Sequence, residues 1–205
     1  MRPPSNLRLV SEVPADPKVR LRRTLARLVQ GLEHVDSEAL AVRVGRSASA
    51  NADYGVLREL LIHTAAGLTF EAPEYSRLAG RFLAERLTED VANSGVLQFS
   101  DMVRIGSAAG IVNDRVRGFT DLHHAALDSA IRPERDLLFD WFGLKTIADR
   151  YLLRHPETRQ VIETPQIFLL RVAVGVSDTL PEALELYGED RRPGMRSPAG
   201  TPRTG

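Results

Sequence analysis

The stretch whose reading decides the fold runs from Pro133 to Val176. It is PERDLLFDWFGLKTIADRYLLR at 133–154, a polar break HPETRQ at 155–160, and VIETPQIFLLRVAVGV at 161–176. It is the densest apolar stretch of the chain and holds its only tryptophan, Trp141. Pro133 suits the first turn of a helix, where a missing N–H costs nothing. Leu137, Leu138, Trp141, Phe142, Leu144 and Ile147 then supply bulky core material, and Ile147, Tyr151 and Leu152 continue at helical spacing. His155-Pro156-Glu157-Thr158 reads as a turn, so that 152–154 and 160–162 can pair as a small β-hairpin. Thr164 reads as an N-cap, with Pro165 at the first helical position. From Ile167 to Val176 the sequence is apolar on nearly every side apart from Arg171, the pattern of a helix buried in a larger body. It is too short to span a membrane.

Working back toward the N-terminus, helical periodicity dominates. Tyr75, Leu78, Ala79, Phe82, Leu83, Leu87 and Val91 recur at three- and four-residue steps and form the clearest amphipathic pattern of the chain. Asn93-Ser94-Gly95 ends that helix. Short helices follow around Phe99, Met102, Val103 and Gly106, and around Val116, Phe119, Leu122 and Leu127. Upstream, Leu21, Leu25, Leu28 and Leu32 predict a helix over 18–35. Asp36-Ser37-Glu38 starts a helix carrying Leu40, Val42 and Val44. Asp53 caps another, whose apolar face is Val56, Leu57, Leu60, Leu61, Thr64 and Leu68. The expected fold class is mainly α, a helical bundle with one small β-hairpin.

The chain has 205 residues, enough for one large domain or two small ones. It is 43% hydrophobic and 26% charged, as ordinary globular chains are. Lys plus Arg and Asp plus Glu both number 27, so the formal net charge is zero and composition does not point to nucleic acid or an anionic membrane. There is no cysteine, which excludes disulfides, thiolate metal sites and thiol chemistry by this chain. The N-terminus shows no apolar signal core, so the expected compartment is the cytoplasm.

Candidate chemical groups are few. Arg20, Arg22, Arg23 and Arg27 surround the first helical stripe and read as a solvated basic face rather than a phosphate site. His63 lies beside an apolar face and reads as a packed or exposed residue. Neighbours on a helix point about 100° apart, so His123 and His124 cannot easily share one ion. Asp136 and Asp140 are four apart, but two acids on one helix are weak grounds for catalysis. The other carboxylates are expected on solvated faces. No phosphate loop, GxGxxG, GxSxG or fixed-period repeat occurs. The expected catalytic, cofactor-binding and metal-ligating residue sets are therefore all empty.

Several segments together resemble the N-terminal region of the large (alpha) subunit of class I ribonucleoside-diphosphate reductase. They are the DLLFDWFGLKTI helix at 136–147, the YLL strand at 151–153, the E-x-P-Q segment at 163–166, and RVAVG at 171–175. APEYSRLAGRFLAERL at 72–87 is similar to that family's P-x-Y-x-x-L-A-x-R helix. The resemblance covers about Lys18 to Tyr187. It implies an all-helical domain with a small sheet element that packs on a catalytic ten-stranded barrel. It implies a small (beta) subunit bearing a metal and radical cofactor, an alpha–alpha dimer, nucleotide substrates, ATP and dATP effectors, and a role in supplying deoxyribonucleotides for DNA synthesis. No nucleic-acid or membrane partner is implied.

Departures from the family pattern shape the expected domains: a disordered leader at 1–17, helices resembling a degenerate ATP cone at 18–70, the family's helical domain at 71–188, and a disordered tail at 189–205. Leu9-Val10-Ser11-Glu12 does not match the cone's V-x-K-R-D-G-like hairpin. Leu60 falls where the cone places a hydroxyl, and Thr88-Glu89-Asp90 falls where it places basic residues and would repel a triphosphate. After Tyr187 the chain runs GEDRRPGMRSPAGTPRTG, a composition expected to be disordered. A shifted reading frame in a GC-rich gene would give the same change, a hypothesis that nucleotide sequence past the Gly188 codon tests. The family's chemistry needs barrel cysteines, so this chain alone is expected to be catalytically incompetent and to bind no cofactor. The alternatives are a non-catalytic helical module that docks on a partner or binds a nucleotide, and an inert gene fragment.

Overall fold

The computed structural model describes residues 16–188; the expected tail, and all but the end of the expected leader, lie outside the described residues. The described chain is helical: α1 Pro17–Leu28, α2 Ser37–Ser47, α3 Tyr54–Gly67, α4 Glu74–Asn93, α5 Phe99–Ala108, α6 Asp114–Ala130, a 3-10 helix at Pro133–Leu138, α7 Trp141–Arg150, α8 Pro165–Val176 and α9 Leu180–Tyr187. It divides into two compact units. The first comprises the described residues up to Leu83 together with Phe139–Phe142, and the second comprises Ala84–Leu138 and the chain from Gly143.

In the first unit, α1 and α2 pack on α3. Each helix start carries an aspartate whose carboxylate accepts first-turn N–H groups: Asp16 from Lys18 at 2.7 Å, Asp36 from Ala39 at 2.8 Å, and Asp53 from Val56 at 2.9 Å. α1 ends at Leu28, short of the expected 18–35, and Gly31 follows at φ +75°. Arg81 of α4 donates to the Leu28 and Gln30 carbonyls at 2.6 and 2.8 Å, satisfying backbone oxygens that a longer helix would have used. The core contains Leu21, Leu25, Leu40, Val44, Leu57, Leu61, Leu78 and Phe82. On α3 the buried face includes Arg58, Ile62 and Ala65, while Val56 is exposed; Val42 of α2 is exposed too.

In the second unit, α5 packs along α6, and α8 packs on α6, α9 and the 3-10 helix. Asp128 of α6 accepts from the Ser100 N–H at 2.8 Å and the Ser100 hydroxyl at 2.7 Å, fixing the start of α5. The expected hairpin is present as one antiparallel bridge, Arg154 to Val161, flanked by Ile162 N–H to Leu153 O at 3.0 Å and His155 N–H to Gln160 O at 2.9 Å. No longer strand forms among the described residues.

The deciding stretch holds the main departures from expectation. Pro133 opens a 3-10 helix that stops at Leu138, and α7 begins afresh at Trp141. Asp136 and Asp140 therefore do not share a helix. The apolar residues of this stretch do not all enter the core either. Leu144 is fully buried, but Leu138 and Phe142 are 79% and 73% exposed, as is Leu122 of α6 at 80%. Leu138 lies in the 3-10 helix, whose turn repeats every three residues, not 3.6, so α-periodicity places it on the wrong side.

Candidate functional site

Two buried carboxylates and a partly exposed apolar face meet at α8, in the second unit. Thr164 caps this helix, its hydroxyl accepting from the Ile167 N–H at 3.3 Å, and Pro165 occupies the first turn. The next residue, Gln166, is buried and sits at the centre of a hydrogen-bonded chain. The Arg132 N–H donates to the Tyr187 hydroxyl at 3.2 Å, which donates to Gln166 Oε1 at 2.9 Å, and Gln166 Nε2 donates to Asp136 Oδ1 at 2.9 Å. The chain joins the 3-10 helix, the start of α8 and the end of α9. Arg135 completes it from outside, donating to the Gly188 carbonyl at 3.1 Å with its guanidinium 5.5 Å from the Tyr187 ring. Burial pushes the Asp136 carboxyl up to about 6, against the pull of the Gln166 donors. Burial also raises the Tyr187 phenol.

A second buried carboxylate lies just before α8. Glu163 is fully buried and takes both arms of the Arg171 guanidinium, Nε on Oε1 and Nη2 on Oε2 at 3.2 Å. Its Oε2 also accepts the Leu153 N–H at 2.9 Å, which ties the bridge segment to the helix. Burial raises this carboxyl while Arg171 and Leu153 lower it. Both carboxylates face protein donors rather than open solvent, so their chemistry is that of positioning. The expectation that acids occupy solvated faces fails at these two positions. The available signal lay in the spacing, since Glu163 and Arg171 bracket the first two turns of α8.

On its outer side α8 is open. Ile167, Leu170, Ala173 and Val174 are buried, but Leu169, Val172 and Val176 are 38%, 42% and 65% exposed. Phe168 continues the apolar surface and stacks on the exposed Tyr151 ring at 6.0 Å. A groove of about 280 Å³ runs beside it, lined by Ile111, Val112 and Val116 on one wall and Val172, Gly175 and Val176 on the other. Arg115 holds the far end of α8 by donating to the Gly175 and Ser177 carbonyls, the latter at 2.7 Å. The helix expected to be buried all round is thus buried on one side within this unit.

The other sequence candidates lie apart from this surface. His63 is exposed on α3 in the first unit. His123 packs edge-on against Phe119 at 4.9 Å, while His124 is exposed on α6. Arg20 lies over the Tyr54 ring at 3.8 Å, and Arg22, Arg23 and Arg27 are exposed. Leu60 is half-buried in the first unit. In the second unit the Thr88 hydroxyl bonds the Ala84 carbonyl at 3.0 Å and Asp90 pairs with Arg86 at 4.0 Å. Among the described residues no three His, Asp or Glu converge as a metal would require, and no helix is long and apolar enough to cross a membrane.

Comparison with known proteins gives a consistent answer. The family profile described as the ribonucleotide reductase all-alpha domain matches residues 137–191. The chain is 34% identical to the ribonucleoside-diphosphate reductase large subunit of Trypanosoma brucei brucei, over 85% of this chain and 22% of that protein. It is 33% identical to the large chain of Schizosaccharomyces pombe, over 90% of this chain and 24% of that protein. With the Arabidopsis thaliana large subunit the identity is 32%, over 82% and 21%. The chain therefore spans less than a quarter of the length of these relatives.

Proposed function

We propose that this chain is a helical docking portion of a ribonucleoside-diphosphate reductase large subunit, a reading supported by its similarity to such subunits and by the match to the family's all-alpha domain over 137–191. The activity it would serve is reduction of ribonucleoside diphosphates to deoxyribonucleotides. The observation that carries the reading is the uncovered apolar side of α8, Leu169, Val172 and Val176, inside the segment that matches the family. A contiguous apolar face of this kind marks a surface that is covered in use. The relatives are more than four times as long as the matched portion, so the proposed cover is the remainder of a large subunit. The buried Asp136 and Glu163 networks hold α8 in place for it.

Catalysis in this reading comes from elsewhere. The chain has no cysteine, so reducing thiols and any thiyl radical would be supplied by the covering polypeptide, and a metal or radical cofactor by a small subunit. ATP and dATP are the effectors proposed for the assembled enzyme, with nucleotides as substrates, an alpha–alpha dimer as assembly and the cytoplasm as compartment. The helices at 18–70 are proposed as an ATP-cone remnant.

The test is to mix the full chain with a large-subunit polypeptide lacking the matching segment. Complex formation is read by analytical ultracentrifugation, and reduction of cytidine diphosphate is measured with the small subunit present. Stable association that is lost in Val172→Glu/Val176→Glu supports the proposal. A chain that stays monomeric, with no recovered activity, overturns it.

A further inference from the structure

A second cleft in the same unit shares no lining residue with the α8 groove. It lies between α5 and α6 and has a volume of about 490 Å³. α5 contributes Ser100, Asp101, Arg104 and Ser107 to its walls, and α6 contributes Arg117, Asp121 and His124. Arg104 and Ser107 are one turn apart on α5, and Arg117 and His124 are two turns apart on α6, so each pair shares a helix face.

Hydrogen-bond satisfaction distinguishes this cleft from ordinary helix packing. A helical serine or threonine commonly returns its hydroxyl to the carbonyl four residues back. Thr120, on the α6 side of the cleft, does so to Val116 at 2.8 Å. The Ser107 hydroxyl is buried and has no hydrogen-bond partner, a state that buried polar atoms rarely keep. The two arginines are held loosely. Arg104 pairs with Asp101 at 3.3 Å and Arg117 with Asp114 at 3.1 Å, each three residues away on its own helix and each with an arginine side chain more than half exposed. Such exposed pairs contribute little and exchange readily. Asp101 is further occupied by the Leu97 and Gln98 N–H groups, both at 3.2 Å. Asp101 and Asp121, both in the lining, oppose an anion, which keeps the affinity weak.

We propose that the α5–α6 cleft binds a phosphate-sized oxyanion, with the Arg104 and Arg117 guanidinium groups supplying charge. The Ser107 hydroxyl and a His124 ring N–H supply further donors. Guanidinium forks match the paired oxygens of a phosphate, and the orphaned hydroxyl gains the acceptor it lacks. The oxyanion is either free phosphate or the phosphoryl group of a small monoester.

The experiment titrates the isotope-labelled full chain with inorganic phosphate, and separately with methyl phosphate, against sodium chloride at matched ionic strength. Amide and arginine side-chain resonances are followed. Saturable shifts centred on Arg104, Ser107, Arg117 and His124, with a dissociation constant on the order of millimolar, support the site. Tighter binding of methyl phosphate identifies a monoester, and equal binding identifies the free anion. Arg104→Gln/Arg117→Gln is expected to weaken binding at least tenfold with an unchanged melting temperature. Ser107→Ala is expected to weaken binding severalfold while raising the melting temperature of the unliganded chain, because it removes the unsatisfied hydroxyl. Shifts that never saturate, that spread over Arg20, Arg22 and Arg23 of α1, or that survive in the double variant overturn the proposal.

Discussion

Gly80 of α4 lies against the carbonyl of Phe139: a β-carbon built on it would stand 2.4 Å from that oxygen and 2.8 Å from the Asp140 carbonyl carbon. One turn earlier on α4, the Ser76 hydroxyl accepts the Trp141 N–H at 3.3 Å. The same helix face thus holds the irregular segment between the 3-10 helix and α7 at two points.

Gly80→Ala is expected to destabilise the chain by about 1–3 kcal/mol, because the obstructing atoms are backbone and cannot swing aside. Gly118→Ala in α6 meets nothing within 4 Å and is expected to stabilise by about 0.5–1 kcal/mol. Urea unfolding of both variants checks the pair. Equal effects would show that the Gly80 approach is not a constraint.

Asp136 predicts a pH dependence of opposite sign to that of an ion-paired acid. Its carboxyl is raised from 3.8 to about 6 by burial, so the folded chain retains the proton where the unfolded chain has lost it. The associated stability is fully present below about pH 4 and is lost as pH rises through about 6. Asp136→Asn is expected to flatten the stability profile between those values and to gain on the order of 1–3 kcal/mol at pH 7.5. Melting temperatures across that window decide it, and parallel profiles for the two proteins would refute the assignment.

Glu163 and Arg171 form the other buried link, and removing one partner strands the other. Arg171→Ala is expected to cost about 3–5 kcal/mol, and adding Glu163→Gln to that variant should recover part of the loss. A double-mutant cycle measures the coupling. Strict additivity would mean that the carboxylate is satisfied without the arginine.

The two sides of α8 should respond differently to truncation. Leu170 is fully buried and Leu169 is 38% exposed. Leu170→Ala is expected to cost about 2–5 kcal/mol and Leu169→Ala less than about 1 kcal/mol in the isolated chain. If a second polypeptide covers the α8 face, the Leu169 variant should lose affinity for it while keeping its own stability. Chemical unfolding and binding isotherms on the same samples separate the two effects.

Much of this architecture is legible in sequence because its causes are local. Asp36, Asp53 and Thr164 announce their helices because a cap acts within three residues of itself. The α4 stripe of Tyr75, Leu78, Phe82 and Val91 is buried as its spacing requires. The motifs from Asp136 to Gly175 carry the resemblance to the family without any coordinates. Tertiary structure alone decided the rest. It broke the deciding stretch at Phe139, where α4 approaches its backbone. It left Leu138, Phe142 and Val176 in solvent. It buried Asp136 and Glu163, and it left the Ser107 hydroxyl without a partner. Composition and periodicity describe what a residue prefers, whereas the burial of a charge depends on which donors the fold delivers to it. For Asp136 that donor is Gln166, 30 residues away along the chain, and only folding brings the two together.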